Sequence, residues 1–125
     1  MQFKIPKNTE KYEWTQHAVI KMKQYGLTAQ RILRVVKNPK RLEEGIVKNT
    51  IAVMQPTSMS TKDGKRVWTR EIWAMYQIKR KAKCSNLKTF GQQRIRIISA
   101  WRYPGVSPKR DPIPEDILRE LESML

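Results

Sequence analysis

Apolar residues recur at helical spacing in the first third of the chain. The first stripe consists of Ala18, Val19, Met22 and Tyr25. It predicts an amphipathic helix that begins after Thr15, a good N-cap, and stops at Gly26, a good residue just past a helix end. A second stripe predicts a helix from Thr28 to Asn38, where Pro39 prevents its continuation. Because the link between the two helices is short, we expect them to form a helix hairpin.

Beyond Pro39 the helical spacing gives way to β-branched and alternating segments that are typical of strands. Strands are predicted at residues 46–55, 67–79 and 94–103. Asp63-Gly64 is the strongest short-range hairpin signal in the chain. A basic loop is expected at residues 80–93.

The proline-rich segment that follows residue 103 leads into a predicted helix at residues 114–124. The order of elements predicts an α+β fold, in which an N-terminal helix hairpin packs on a small antiparallel sheet of three or four strands. The length of 125 residues suits one such domain. We expect this domain to span residues 1–111. Residues 112–125 are expected to form a C-terminal helix that packs on the same domain or contacts a second copy in a homodimer.

The charge of the chain indicates which class of partner it binds. The chain has 26 basic and 11 acidic residues, a net charge of +15. Residues 61–110 hold 14 basic and two acidic residues, whereas residues 111–125 hold one basic and five acidic residues. So basic a chain favours nucleic acid, through release of counterions, over a membrane surface or an acidic protein. The acidic C-terminal helix is expected to shield part of the basic surface.

Several classes of chemistry are excluded by what the sequence lacks. A single cysteine, Cys84, excludes an internal disulfide and a cysteine-based zinc site, and the single histidine excludes a two-histidine metal site. There is also no glycine-rich phosphate loop of the kind that binds nucleotides. From these absences together we expect no cofactor and no metal. No apolar run approaches the roughly 20 residues of a membrane span, and the first residues lack a signal-peptide core. A cytoplasmic protein is therefore expected.

Cleavage of RNA by its own 2′-hydroxyl is compatible with the remaining side chains, because it needs a proton acceptor and cations near the phosphate. Strict alternation in residues 94–103 would place Arg94, Arg96 and Arg102 on one face of a strand. We predict catalytic roles for Arg96 and Arg102. The alternatives are phosphate contact without chemistry and a merely solvated face.

His17 and Glu71 are the predicted proton acceptors, although a helical histidine more often has a structural role. The residues predicted to bind RNA are Lys21, Arg70, Lys81, Lys83, Arg94 and Tyr103. Tyr103 is a candidate for stacking on an unpaired base, whereas its neighbour Trp101 is expected in the core.

Two segments resemble a known family. YEWTQHAVIKMKQYGLT at residues 12–28 is similar to the opening of BrnT-type toxins, and RIRIISAWR at residues 94–102 resembles their last strand. The piece from His17 to Met22 is also similar to relatives that carry His-Ala-x-x-Arg-Met. The chain departs from these patterns at Lys21, which replaces that arginine, and at Trp101, which stands where the family places its first arginine after Ser-Ala.

This resemblance implies a RelE/ParE-superfamily fold and a metal-independent endoribonuclease, an mRNA interferase, of a type II toxin–antitoxin system. It also implies an antitoxin protein as partner. Two alternatives share the fold: a non-catalytic RNA- or ribosome-binding protein, and a ParE-like inhibitor of a topoisomerase.

Overall fold

A five-stranded sheet with the order β1-β5-β4-β3-β2 forms the centre of the structure, a computed structural model that describes residues 3–80 and 93–124. The elements along the chain are β1 (Tyr12–Trp14), α1 (Gln16–Tyr25), α2 (Ala29–Lys37), β2 (Arg41–Glu44), β3 (Ile51–Lys62), β4 (Lys65–Arg80), β5 (Gln93–Pro104) and α3 (Glu115–Met124). β1 pairs parallel with β5, and the other neighbouring strands pair antiparallel. None of the helices in the described residues is long and apolar enough to cross a membrane.

The fold is α+β, but the predicted architecture was wrong. The sheet has five strands, and β1 precedes the helices, so these do not form an N-terminal unit. Nor do they pack on each other as a hairpin: α1 lies along β5, and α2 lies over β3 and β4. The error has a physical source. β1 and β2 have three and four residues, too few to show alternation, and a sheet offers each helix a larger apolar surface than the other helix does.

The ends of the first two helices follow local chemistry. Thr15 and Thr28 are the N-caps, and their hydroxyls accept hydrogen bonds from the backbone N–H groups of Ala18 and Arg31. Gly26 ends α1 with a left-handed φ of 68°, a conformation that costs glycine little. These limits agree with the sequence-based prediction because each depends only on neighbouring residues.

Both faces of the sheet are covered, each by its own apolar cluster. On the first face, residues of α1 and α2 such as Met22 and Ile32 pack against Ala74 and its neighbours. On the second face, α3 packs through Ile117 and Leu121. Trp73 and Trp101 stack there with their ring centroids 6.0 Å apart, so Trp101 is a core residue, as expected. The sheet therefore lies between helices and exposes side chains mainly at its ends.

A β-bulge at Ile98 divides β5 into two halves. Tyr76 of β4 pairs with Ile97, but the preceding residue, Met75, pairs with Ser99, so Ile98 is an extra residue without a partner. Each such insertion reverses which face the following side chains occupy. The expectation that Arg94, Arg96 and Arg102 share one face is therefore wrong. The first two lie on the second face, opposite Lys79 and Gln77, while Arg102 lies on the first face, opposite Ile72.

β3 and β4 form a long hairpin around the predicted turn. Lys62 pairs with Lys65 across Asp63 and Gly64, whose φ values of 53° and 76° are both positive. This is the geometry of a type I′ turn, for which Asp-Gly is a favoured sequence. The strand predicted at residues 46–55 begins later, at Ile51, because Asn49 has a positive φ of 63° in the preceding turn.

Candidate functional site

A shallow groove opens where the parallel pair β1–β5 meets the start of α1. It has a volume of about 530 Å³, and its lining includes Asn8, Glu13, Trp14, His17, Arg96 and Met124. A second hollow of about 510 Å³, lined by Asn8, Thr9, Glu10 and Arg94, adjoins it at Asn8. We call the two together the β1 groove. Asn8 lines both hollows. Its carboxamide oxygen accepts a hydrogen bond from the backbone N–H of Trp14 over 2.8 Å, which holds Asn8 in place between them.

Three cations converge on one carboxylate in the β1 groove. Strand pairing places Glu13 beside Arg96, and Arg94 beside Lys79. The Glu13 carboxylate lies 3.0 Å from Arg96 Nε, 3.4 Å from Lys79 Nζ and 3.8 Å from Arg94 Nη1. All four side chains keep part of their surface exposed, Glu13 the least, at 23%. With Glu10, which lines the second hollow, two negative charges stand against three positive charges, so the local charge is +1.

The Nε atoms of Arg94 and Arg96 are shielded from solvent, and neither has an aligned hydrogen-bond acceptor among the described residues. Arg96 Nε is close to Glu13 Oε2, but their contact is an ion pair without hydrogen-bond alignment. Shielded polar donors in folded proteins nearly always have an acceptor. The two guanidinium groups nevertheless keep 33% and 39% of their side-chain surface exposed, so their solvent-facing N–H groups can donate to further acceptor oxygens, and a planar, five-donor fork matches phosphate oxygens well.

His17 borders the β1 groove, yet both of its ring nitrogens have partners inside the protein. Nε2 lies 3.1 Å from the hydroxyl of the buried Ser99, and Nδ1 lies 3.4 Å from Glu120 Oε2 on α3. Burial lowers the pKa of His17 below 6.5; the charge of Glu120 opposes that shift and the charge of Lys21 adds to it. The imidazole is therefore neutral at neutral pH. Nε2 lies within hydrogen-bond distance of the Ser99 hydroxyl, whereas the contact of Nδ1 with Glu120 is at ion-pair distance without hydrogen-bond alignment.

Lys21, one turn after His17, is buried and does not face solvent as an RNA-binding lysine should. Its ammonium group donates hydrogen bonds to Glu120 over 2.9 Å and to Gln24 over 3.1 Å. Glu120 thus connects two residues of α1 to α3. That the acidic C-terminal helix shields part of the basic surface stays a prediction.

Glu71, the other predicted proton acceptor, is fully buried on the second face, away from the β1 groove. Its carboxylate accepts hydrogen bonds from the indole N–H groups of Trp68 and Trp73, both over 2.9 Å, and from the backbone N–H and hydroxyl of Ser107. The guanidinium group of Arg41 lies 3.7 Å away. Because all of these donors lie within the protein, Glu71 has a structural role: its contact with Ser107 holds the segment after β5 against the sheet.

The remaining predicted residues are dispersed. Arg102 is exposed on the first face, where its Nε donates to the Tyr25 carbonyl over 2.8 Å. Arg70 is exposed on β4, and Tyr103 is partly buried against the core of the second face. Lys81 and Lys83 lie outside the described residues.

The structure therefore brings together His17, Arg94 and Arg96 in the β1 groove and separates them from Glu71 and Arg102. The sequence-based reasoning missed Glu13 and Lys79. The segment from Tyr12 to Trp14 carried a weak signal for Glu13, since two aromatic residues flank one acid with the period of a strand.

Comparison with known proteins gives no family for the chain: no protein-family model, no curated protein and no solved structure matches it. The relation to BrnT-type toxins stays a prediction. Within residues 3–80 and 93–124, no group of three or more His, Cys, Asp or Glu side chains could hold a metal ion.

Proposed function

We propose that this chain is a cytoplasmic RNA-binding protein whose β1 groove contacts the phosphates of single-stranded RNA. The observation that carries the proposal is the convergence of three partly exposed cations, Lys79, Arg94 and Arg96, on the single carboxylate of Glu13. The exposed donors of these side chains can bind phosphate oxygens, and the net charge of +15 favours a polyanion.

The choice of RNA over DNA comes from the resemblance to BrnT-type toxins. The two segments of that resemblance, residues 12–28 and 94–102, contribute Glu13, His17, Arg94 and Arg96 to the β1 groove. The same resemblance supports an antitoxin protein as partner.

A metal-independent endoribonuclease is the second candidate, because His17, Arg96 and Glu13 border the same groove. In this reaction the 2′-oxygen forms a bond to the adjacent phosphorus, Glu13 accepts the 2′ proton, and the bond from phosphorus to the 5′-oxygen breaks. Water protonates the departing 5′-oxygen, and Arg96 stabilises the charge on the phosphorane. Binding alone ranks first, since Ser99 and Glu120 occupy both ring nitrogens of His17.

Binding is tested by the fluorescence anisotropy of a labelled oligouridylate, with the DNA oligomer of the same length beside it. The double variant Arg94→Gln/Arg96→Gln is compared with Lys109→Gln/Arg119→Gln, which removes the same charge from positions outside the groove. We expect the groove variant to bind RNA on the order of tenfold more weakly and the control to bind nearly as the wild type does. Equal loss in both variants would contradict a groove contact. Tighter binding of DNA would contradict the choice of RNA.

Cleavage is tested by incubating the same RNA with the protein in excess chelator and analysing the ends of the products. Fragments that end in a 2′,3′-cyclic phosphate, formed by the wild type and not by Glu13→Gln or Arg96→Gln, would establish the second candidate. Intact RNA at protein concentrations that saturate binding would leave binding as the function.

A further inference from the structure

A second group of arginines lies on the first face of the sheet, away from the β1 groove. Gln55, Ile72 and Arg102 form one row across β3, β4 and β5. Since neighbouring strands lie about 4.8 Å apart, the backbones of Gln55 and Arg102 are roughly 10 Å apart, with Ile72 between them. The arginines described below lie on or beside this row.

Gln55 connects the row to α2. Its side-chain oxygen accepts a hydrogen bond of 2.6 Å from Arg31 Nη1, and its side-chain nitrogen donates to the backbone carbonyls of Arg34 and Asn38. Arg34 follows Arg31 by three residues and therefore lies beside it on the helix surface. Gln55 thus holds α2 so that the guanidinium group of Arg31 lies above the row that ends at Arg102.

The electrostatics agree with this geometry. The pKa of Arg31 is lowered by burial and, to a smaller extent, by the charges of Arg34 and Arg102, so Arg31 lies within the field of both. Arg70 occupies a neighbouring row, opposite Thr57. Arg70 is exposed and is the diagonal cross-strand neighbour of Arg102. Such neighbours are separated by about 7–8 Å in a sheet.

No carboxylate among the described residues forms a salt bridge with Arg31, Arg34, Arg70 or Arg102. The β1 groove differs in this respect, because Glu13 neutralises part of its charge. Like charges held together by fixed contacts repel each other, and a bound anion relieves that repulsion. Arg31, Arg34 and Arg102 therefore form a basic group that no described carboxylate of the protein neutralises, and such a group favours a bound anion.

We propose that Arg31, Arg34 and Arg102, with Arg70 beside them, form a second phosphate-binding site for the polynucleotide that occupies the β1 groove. The proposal rests on the proposed function, in which the polynucleotide is RNA and contacts the β1 groove. Arg96 and Arg102 are six residues apart on β5, about 20 Å along the strand, and on opposite faces. An RNA that reaches both sites must therefore pass from one face of the sheet to the other.

The test uses an oligouridylate of about 16 nucleotides, the upper end of the site sizes common for single-strand binders. The variant Arg34→Gln/Arg102→Gln alters two exposed side chains, so its folding is expected to remain intact. We expect it to weaken binding about tenfold and to reduce the salt slope of log K by about 1.4, from two lost phosphate contacts. Lys109→Gln/Arg119→Gln is the control of equal charge.

Affinity equal to that of the control would overturn the second site. Loss of binding in Arg34→Gln/Arg102→Gln but not in Arg94→Gln/Arg96→Gln would support the second site and contradict the function proposed for the β1 groove. Should the wild type fail to bind RNA, a titration with pyrophosphate tests the site, followed by NMR at the Nε–H group of Arg31, which both the wild type and the variant retain. Saturable shifts that disappear in the variant support an anion site, and their absence overturns it.

Discussion

Arg96 and Arg102 lie on the same strand but face opposite sides of the sheet. Arg96 pairs with Gln77 and Arg102 with Ile72, and the bulge at Ile98 lies between them. Their even spacing in the sequence would otherwise place them on one face. One extra residue thus divides what looked like a continuous row of arginines into two separate basic sites.

On the proposed function, the Glu13 carboxylate would compete with RNA phosphates for the cations that it contacts. We expect Glu13→Gln to bind RNA roughly threefold more tightly, because removal of one partly exposed ion-pair partner is worth at most about 1 kcal/mol. Anisotropy with the labelled oligouridylate measures this. Glu122→Gln, which removes the same charge from an exposed position outside the groove, is the control. Weaker binding by Glu13→Gln would show that the carboxylate positions Arg96 for RNA and does not compete with it.

Glu71 is expected to matter for stability and not for RNA. Glu71→Ala leaves the indole N–H groups of Trp68 and Trp73 and the donors of Ser107 without their acceptor, which should cost about 3 kcal/mol or more. Denaturant unfolding measures the loss, with the exposed Glu122→Ala as control. Normal stability with impaired RNA binding would restore Glu71 as a functional residue.

The lowered pKa of His17 makes stability depend on pH. In the unfolded chain the imidazole takes up a proton near pH 6.5, whereas in the folded chain burial and Lys21 oppose protonation and only Glu120 favours it. The unfolded state therefore binds more protons below pH 6.5, and the free energy of unfolding should fall as the pH falls from 6.5 through the folded pKa.

Unfolding of the wild type and of His17→Gln between pH 5 and 8 checks this dependence. The difference between them should be constant above pH 6.5 and change below it, because only the wild type carries the imidazole. An NMR titration of His17 with a midpoint at or above 6.5 would contradict the burial effect.

Gly64 is expected to tolerate no side chain without strain, although there is space for one. A Cβ there would meet nothing within 4 Å, but the φ of 76° disfavours any L-residue with a side chain. We expect Gly64→Ala to cost about 1 kcal/mol. Asp63→Asn should be nearly neutral, since asparagine also accepts the positive φ of 53° at that position. Equal effects of the two substitutions on thermal unfolding would contradict the turn geometry.

The sequence alone determined the features that depend on adjacent residues. The caps at Thr15 and Thr28, the end of α1 at Gly26 and the turn at Asp63-Gly64 follow from φ preferences and from hydrogen bonds within a few residues. Net charge, too, is a property of composition, and a value of +15 by itself favours a polyanionic partner.

Only the tertiary structure decided where the charges meet. The parallel pairing of β1 with β5 joins Glu13 to Arg96 across more than 80 residues of chain, and the folded packing of α3 joins Glu120 to His17. Glu71 is buried and accepts hydrogen bonds from two indole N–H groups and from the distant Ser107. Whether such an acid faces solvent or is buried depends on contacts that are distant in sequence. Local preference cannot encode the bulge at Ile98, because its register is set by the packing of both faces of the sheet.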